Sequence, residues 1–206
     1  MKQLSSEKIQ FINNYLEKSD VIFVDIRAEL TDHIASAVEE KMEAENLDFY
    51  DAFKKFMIHN KKELLRNRNS FLPPLFSFSK TLYKWYNLVI GILIIALFYW
   101  ISKNTDQQNI LKKIHLGLFY GILIFAILQG IYMYLILKKR FAYIEKASFW
   151  MLIIYYINLF FNGFHEDFFG NSISVGITLF LFIAFLIYFT KTLLKFNPKN
   201  YQVAKT

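Results

Sequence analysis

The sequence predicts an all-α protein: a small cytoplasmic helical domain of three or four helices, followed by a four-helix transmembrane bundle. Three observations predict it. Between residues 86 and 190 lie four apolar runs that reach or approach the ~20 residues needed to cross a hydrocarbon core. Positive charge alternates between the loops that separate them. In front of these runs, apolar residues recur at helical spacing among charged ones.

Composition agrees with a division into two parts. At 55% hydrophobic, 19% aromatic and 20% charged, the 206-residue chain is too apolar for an ordinary soluble domain and too mixed to be membrane throughout. Up to Ser70 there are 11 Lys/Arg against 13 Asp/Glu, net −2, and beyond it 13 against 4, net +9. The basic balance therefore belongs to the loops flanking lipid and is a poor argument for nucleic acid. Cysteine is absent, which excludes disulfides, thiolate metal sites, cysteine nucleophiles and palmitoylation. Met1, Lys2, Gln3, Leu4, Ser5, Ser6 and Glu7 lack the apolar core and cleavage site of a secretory signal, so the first apolar run is expected to direct insertion.

Residues 1–69 read as the cytoplasmic helical domain. Ser5 or Ser6 is positioned to cap a first helix with Ile9, Ile12 and Leu16 on one face. Asp20 is positioned to cap a long second helix reaching about Glu45, on which Phe23, Ile26, Leu30, Ile34 and Ala37 form the expected core face, with Val38 at its margin. On the opposite face Asp25, Glu29, Asp32, Glu39 and Glu43 fall within about 80° of one another, a continuous acidic stripe. Such a stripe is either a solvated face or a docking surface for something basic: a cytoplasmic protein, or the chain's own loop 138–146 with Lys138, Lys139, Arg140 and Lys146. Asp48 starts a third helix, where Phe49, Ala52, Phe53, Phe56 and Met57 give a single buried stripe. Asn60 and Glu63 suggest the cap of a short fourth helix with Leu64 and Leu65.

Residues 70–85, with Pro73 and Pro74, read as a non-helical interfacial linker whose Phe71, Leu72, Leu75, Phe76 and Phe78 rest at the membrane surface. The transmembrane domain, 86–206, contains spans at about 86–102, 116–137, 147–164 and 172–190. Ten Leu, Ile, Val or Phe residues in 87–101 contribute roughly −3 to −6 kcal/mol toward insertion. No charge interrupts 116–137, whereas 147–164 is weakened by Asn158 and Asn162. With the N-terminus inside, twelve cations near span ends are cytoplasmic (Arg66, Arg68, Lys80, Lys84, Lys138, Lys139, Arg140, Lys146, Lys191, Lys195, Lys199, Lys205) and only three, Lys103, Lys112 and Lys113, are external. The bias predicts a multi-pass inner-membrane protein of bacterial type with both termini cytoplasmic.

Inside the spans the polar residues are amides. Gln129, Asn158 and Asn162 must find partners on other helices, or else line a lumen. Gly117 and Gly121, and likewise Ser172 and Gly176, have the four-residue spacing that permits close helix packing, within the bundle or in a homo-oligomer. The span interiors lack Asp, Glu, Arg, Lys and His, the residues that ordinarily mark proton relays and coupled transport.

No catalytic, cofactor-binding or metal-binding set is assigned. His33 follows Glu29 by one helical turn, the spacing of an acid/base pair or of two metal ligands, but no further ligands accompany it. Arg27 and His33 match the loose Arg-to-His spacing of HEPN-type ribonucleases, yet on one straight helix they point about 120° apart, and Ala28 replaces that family's polar residue. His165, Glu166 and Asp167 form an acidic external turn, and adjacent loop residues rarely converge on one ion.

The run Asp25, Ile26, Arg27, Ala28, Glu29, Leu30, Thr31, Asp32, His33, Ile34, Ala35, with Val38, Glu39, Glu40 and later Asp51, Ala52, Phe53, resembles the HAAS-type helical signalling domain over roughly the first 65 residues. It departs from that pattern where His59, Asn60 and Lys61 replace an expected Gly-x-Pro turn. The resemblance implies a non-enzymatic regulatory or signalling module, without a cofactor, that binds a soluble regulatory partner. The alternative expectation, from a different class, is an oligomeric channel or pore lined by Gln129, Asn158 and Asn162.

Overall fold

The computed structural model describes residues 3–66, 72–104, 108–164 and 172–196, with side chains for these except 66, 72–75, 101–104, 108–112, 158–164 and 172–173. All the described secondary structure is helical apart from one isolated bridge, and the chain divides into two compact units. The first comprises Met1–Phe71 with Lys139–Ala142 and Leu194–Thr206, and the second Leu72–Lys138 with Tyr143–Leu193.

In the first unit, α1 (Ser6–Lys18), α2 (Val24–Ala44) and α3 (Phe49–Arg66) enclose one core. Ser5 is the N-cap of α1, and its carbonyl accepts from the N–H groups of Lys8 and Ile9 while its hydroxyl makes no capping bond. Ile12 and Leu16 are fully buried, at the helical spacing the sequence predicts. Asp20 does not cap α2. It adopts φ 61°, a left-handed turn that closes α1, and the N-cap of α2 is Phe23. Short polar side chains such as Asp tolerate that region at modest cost.

The buried face of α2 is displaced from the predicted one. Thr31, Ile34, Ala35, Val38 and Met42 are buried, whereas Ile26 and Leu30 are only half-buried and pack on the margin. This rotates the centre of the face by about 90° on the wheel, because α2 packs against both α1 and α3 and is covered on two flanks. α3 begins as predicted, with Asp48 Oδ1 accepting the Asp51 N–H at 2.8 Å, and it buries Ala52, Phe53 and Met57. It then continues to Arg66, so the predicted short fourth helix is its C-terminal part. Asn60 caps nothing: its side-chain amide bonds back to the Phe56 carbonyl at 2.9 Å. Phe11 and Tyr15 of α1 meet Phe53 edge-on, at 5.5 and 5.2 Å between ring centres, which locks α1 against α3.

The second unit opens with α4 (Leu72–Leu82), where the sequence predicts an irregular linker. Pro73 and Pro74 fall in its first turn, where a missing N–H breaks no intrahelical bond and the fixed φ suits the helix. α5 (Trp85–Asn104) follows, and its described part is bent by 65° from α4. At the bend the fully buried Asn87 donates from its side chain to the Thr81 carbonyl at 2.6 Å, satisfying an acceptor the helix break frees. α6 (Gln108–Ile131) runs into a π-helical turn, Tyr132–Ile136, closed by the Leu137 N–H to the Tyr132 carbonyl. α7 (Ala142–Phe164) and α8 (Ser172–Lys195) complete the unit. Phe78 of α4, Ile122 of α6, Met151 and Tyr155 of α7 and Phe185 of α8 share one core.

Lys113–Ile136 and Ser174–Lys195 are each long and apolar enough to cross a membrane, and the bent pair Phe76–Leu82 and Trp85–Trp100 makes a third candidate if taken as one span. Among the described residues, then, two helices, or three with the bent pair, meet the span expectation, and four crossings are not shown.

Candidate functional site

The N-terminal turn of α2 is built around a buried carboxylate. Asp25 is 0% exposed, although the sequence places it on a solvent-facing acidic stripe. Its Oδ1 accepts two backbone N–H groups, from Ile26 and from Ala142, both at 2.9 Å. The segment Lys139–Ala142, part of the same compact unit, supplies the second donor and more. Arg140 pairs with Phe23 in an isolated parallel bridge, its carbonyl accepts the Val24 N–H at 2.9 Å, and its guanidinium lies 4.9 Å from the centre of the Phe23 ring. A carboxylate taking backbone donors of this kind makes charge-assisted bonds, which compensate for desolvation. Asp25 is therefore an anchor for a distant segment and no part of an exposed stripe.

Glu39 is also engaged: half-buried, it accepts the Leu4 N–H at 2.8 Å and ties the N-terminal strand of chain to α2. Glu29, Asp32 and Glu43 are exposed. Glu29 and Asp32 lie within one turn of each other, while Glu43 stands about 16 Å further along the axis. The predicted continuous stripe is in this way reduced to an acidic pair and a separate carboxylate.

Arg27 is committed to holding α1 on α2. Its Nε donates to Asn13 Oδ1 at 3.1 Å, one terminal nitrogen reaches the Val21 carbonyl at 3.4 Å, and that nitrogen lies 3.1 Å from Glu17. His33 is exposed, with its ring edge toward Phe56 at 6.4 Å. The structure does not bring Arg27 and His33 together on a shared ligand. At the end of α2, Lys55 bonds to Glu45 and, with Lys41 at 3.5 Å, holds that carboxyl below its ordinary pKa.

In the second unit Gln129 is buried, and its amide nitrogen donates to Ser148 Oγ at 2.6 Å, joining α6 to α7. Its carbonyl oxygen lacks a partner among the described residues. The side chains of Asn158, Asn162 and Ser172, and all of His165, Glu166 and Asp167, lie outside the described residues. A Cβ placed on Gly176 would lie 3.6 Å from Phe98 and 3.7 Å from the Ile95 backbone, and one on Gly91 would lie 3.1 Å from Phe180, so α5 and α8 approach closely at two glycines. The four-residue spacing of small residues does not mark Gly91. A Cβ on Gly117 or Gly121 would meet nothing within 4 Å among the described residues.

Comparison with known protein families, curated proteins and solved structures finds no match to this chain.

Proposed function

We propose that the chain is a multi-pass inner-membrane protein with four crossings and cytoplasmic termini, whose N-terminal helical domain is a non-enzymatic docking module for a basic regulatory protein. The observation that carries the reading is the difference in exposure among the carboxylates of α2. Asp25 is buried and Glu39 half-buried, each accepting a backbone N–H of its own unit, whereas Glu29, Asp32 and Glu43 are exposed to solvent. Carboxylates so placed meet a basic surface at little desolvation cost and set its approach and specificity more than its raw affinity. Of the basic loop 138–146, the segment Lys139–Ala142 belongs to the same unit as α2. In this proposal the loop and a soluble partner share the neighbourhood, and signalling consists of the partner reading that neighbourhood. A role in signalling is also what the resemblance of the first 65 residues implies.

The test is crosslinking and co-purification of the full chain against a variant carrying Glu29→Lys, Asp32→Lys and Glu43→Lys. The reading expects a changed set of recovered partners with the helical content unchanged; an identical set would contradict it. A second reading, an oligomeric pore, draws on Gly117 and Gly121 of α6, against which no described residue packs. It requires a stable oligomer in detergent and conductance in liposomes that Asn158→Leu abolishes.

A further inference from the structure

At one end of the second unit, positive charge collects with no negative charge to balance it. α4, α5 and α8 contain no Asp or Glu, yet Lys80 lies in the last turn of α4, Lys84 stands in the break before α5, and Lys191 lies one turn from the end of α8. All three are exposed, and no carboxylate among the described residues pairs with them.

α5 and α8 run antiparallel, since Gly91 meets Phe180 and Gly176 meets Phe98, so the first turn of α5 lies beside the last turns of α8. There the Lys191 ammonium donates to the Tyr86 hydroxyl oxygen, two residues after Lys84. The Tyr86 hydroxyl still has its own proton to donate, and the ammonium has two more. The positive end of the α5 dipole falls at the same place.

The surface next to this corner is ordered as a lipid is. Tyr83 and Trp85 are 77% and 76% exposed, amphipathic rings of the kind that settle at headgroup level. From Tyr86, helical spacing puts Val89, Leu93 and Leu97 on one face of α5, and all three are exposed. An apolar strip thus leads away from the cationic corner. Free phosphate or a soluble acidic peptide would leave that strip uncovered, whereas a phospholipid covers strip and corner together.

We infer that the corner of Lys84, Tyr86 and Lys191, with Lys80 adding to its field, is a binding site for the headgroup of an anionic phospholipid whose acyl chains lie along Val89, Leu93 and Leu97. Its phosphate oxygens accept from the two ammonium groups and from the Tyr86 hydroxyl, in charge-assisted bonds. A zwitterionic lipid offers the same phosphate joined to a cation that the lysines repel. The inference goes beyond the docking proposal: it requires only that the second unit lie in a bilayer, and it stands or falls separately from any partner of α2.

The experiment uses the full-length chain in phosphatidylcholine vesicles with a minor fraction of brominated phosphatidylglycerol or, in its place, brominated phosphatidylcholine. Trp100→Phe and Trp150→Phe leave Trp85 as the sole tryptophan. Bromine on an acyl chain quenches the tryptophan it touches, so the ratio of the two quenching constants reads the preference at this corner. The expected ratio is about fivefold in favour of phosphatidylglycerol, the worth of one lysine close to an anionic surface. Lys84→Gln with Lys191→Gln should abolish the preference with helical content unchanged. Tyr86→Phe keeps every charge, releases Lys191 and removes a donor, and should lower the ratio at least about twofold. Native mass spectrometry of the chain with all three tryptophans, taken from a mixture of both lipids, should show the same order of retention and the same loss in the double lysine variant. Equal quenching by the two lipids would overturn the inference. So would a ratio that Tyr86→Phe leaves unmoved, because the lysines would then act only as diffuse charge. Inorganic phosphate that abolishes the preference where sodium chloride of equal ionic strength does not would assign the corner to a soluble anion and overturn it as well.

Discussion

In the N-terminal unit Ile12, Leu16, Ile34 and Val38 are fully buried, whereas in the second unit Ile92, Leu93, Ile127, Leu128 and Leu135 are each more than half exposed. Both units are helical and both have packed cores, so the difference lies in what the outward faces are made for. An apolar side chain facing water forfeits about 25 cal/mol per Å² that burial would recover. The same side chain facing hydrocarbon forfeits nothing. A unit that presents Ile and Leu outward along helices 22 and 24 residues long is arranged for lipid as its solvent. Polar bonds differ in the same sense. In the first unit carboxylates and an arginine tie elements to one another, and among the described residues of the second Asn87, the Gln129–Ser148 pair and the Lys191 ammonium on the Tyr86 hydroxyl do so.

The comparison breaks if equal exposure has equal consequences in the two units. Ile58 and Leu128 are both exposed, at 71% and 57%. Leu128→Arg should shift membrane insertion by about 3 kcal/mol, read as loss of the chain from the membrane fraction, while Ile58→Arg should leave insertion and helical content unchanged. The next largest effect is at the anchor. Asp25→Ala removes the acceptor of the Ile26 and Ala142 N–H groups and should destabilise the N-terminal unit by about 2 kcal/mol, measured by hydrogen exchange of α1 to α3 in the full chain. Equal exchange in the two proteins would mean that the anchor contributes nothing to that unit.

A smaller effect is expected between α6 and α7. Ser148→Ala leaves the Gln129 amide without its acceptor and should cost about 1 kcal/mol, whereas combining it with Gln129→Leu should recover most of that loss, by thermal unfolding in one detergent. The smallest effect concerns pH. Lys55 bonded to Glu45 lowers that carboxyl below its ordinary value, so its contribution is present above the unfolded pKa and is lost as pH falls through the lowered folded one. Lys55→Met should raise the Glu45 titration midpoint by NMR and change stability only slightly, since the pair is exposed to solvent.

Much of this architecture is legible in the sequence, and the parts that are not have physical reasons. Periodicity gives Ile12 and Leu16 on α1 and Ala52, Phe53 and Met57 on α3, and Asp48 caps α3 as its position suggests. Each of those signals is local. The buried face of α2 is harder, because a helix covered by two neighbours has a wide face whose centre a single stripe does not locate. Pro73 and Pro74 mislead when read only as helix breakers, because in a first turn they are tolerated. Asp25 is the clearest case. On the wheel it belongs with Glu29 and Asp32, and its partner Ala142 lies 117 residues away, so no local pattern distinguishes it from an exposed carboxylate.

The claim that the second unit is a four-crossing bundle with cytoplasmic termini is tested most directly by residue accessibility. The chain has no cysteine, so single substitutions Lys138→Cys, Thr105→Cys, Gly170→Cys and Thr206→Cys give an unambiguous readout with a membrane-impermeant thiol reagent on intact cells. The account predicts that Thr105→Cys and Gly170→Cys are labelled directly, and that Lys138→Cys and Thr206→Cys are labelled only after permeabilisation. Labelling of Thr105→Cys and Lys138→Cys from the same side would contradict it, because the helix between them would then not cross the membrane.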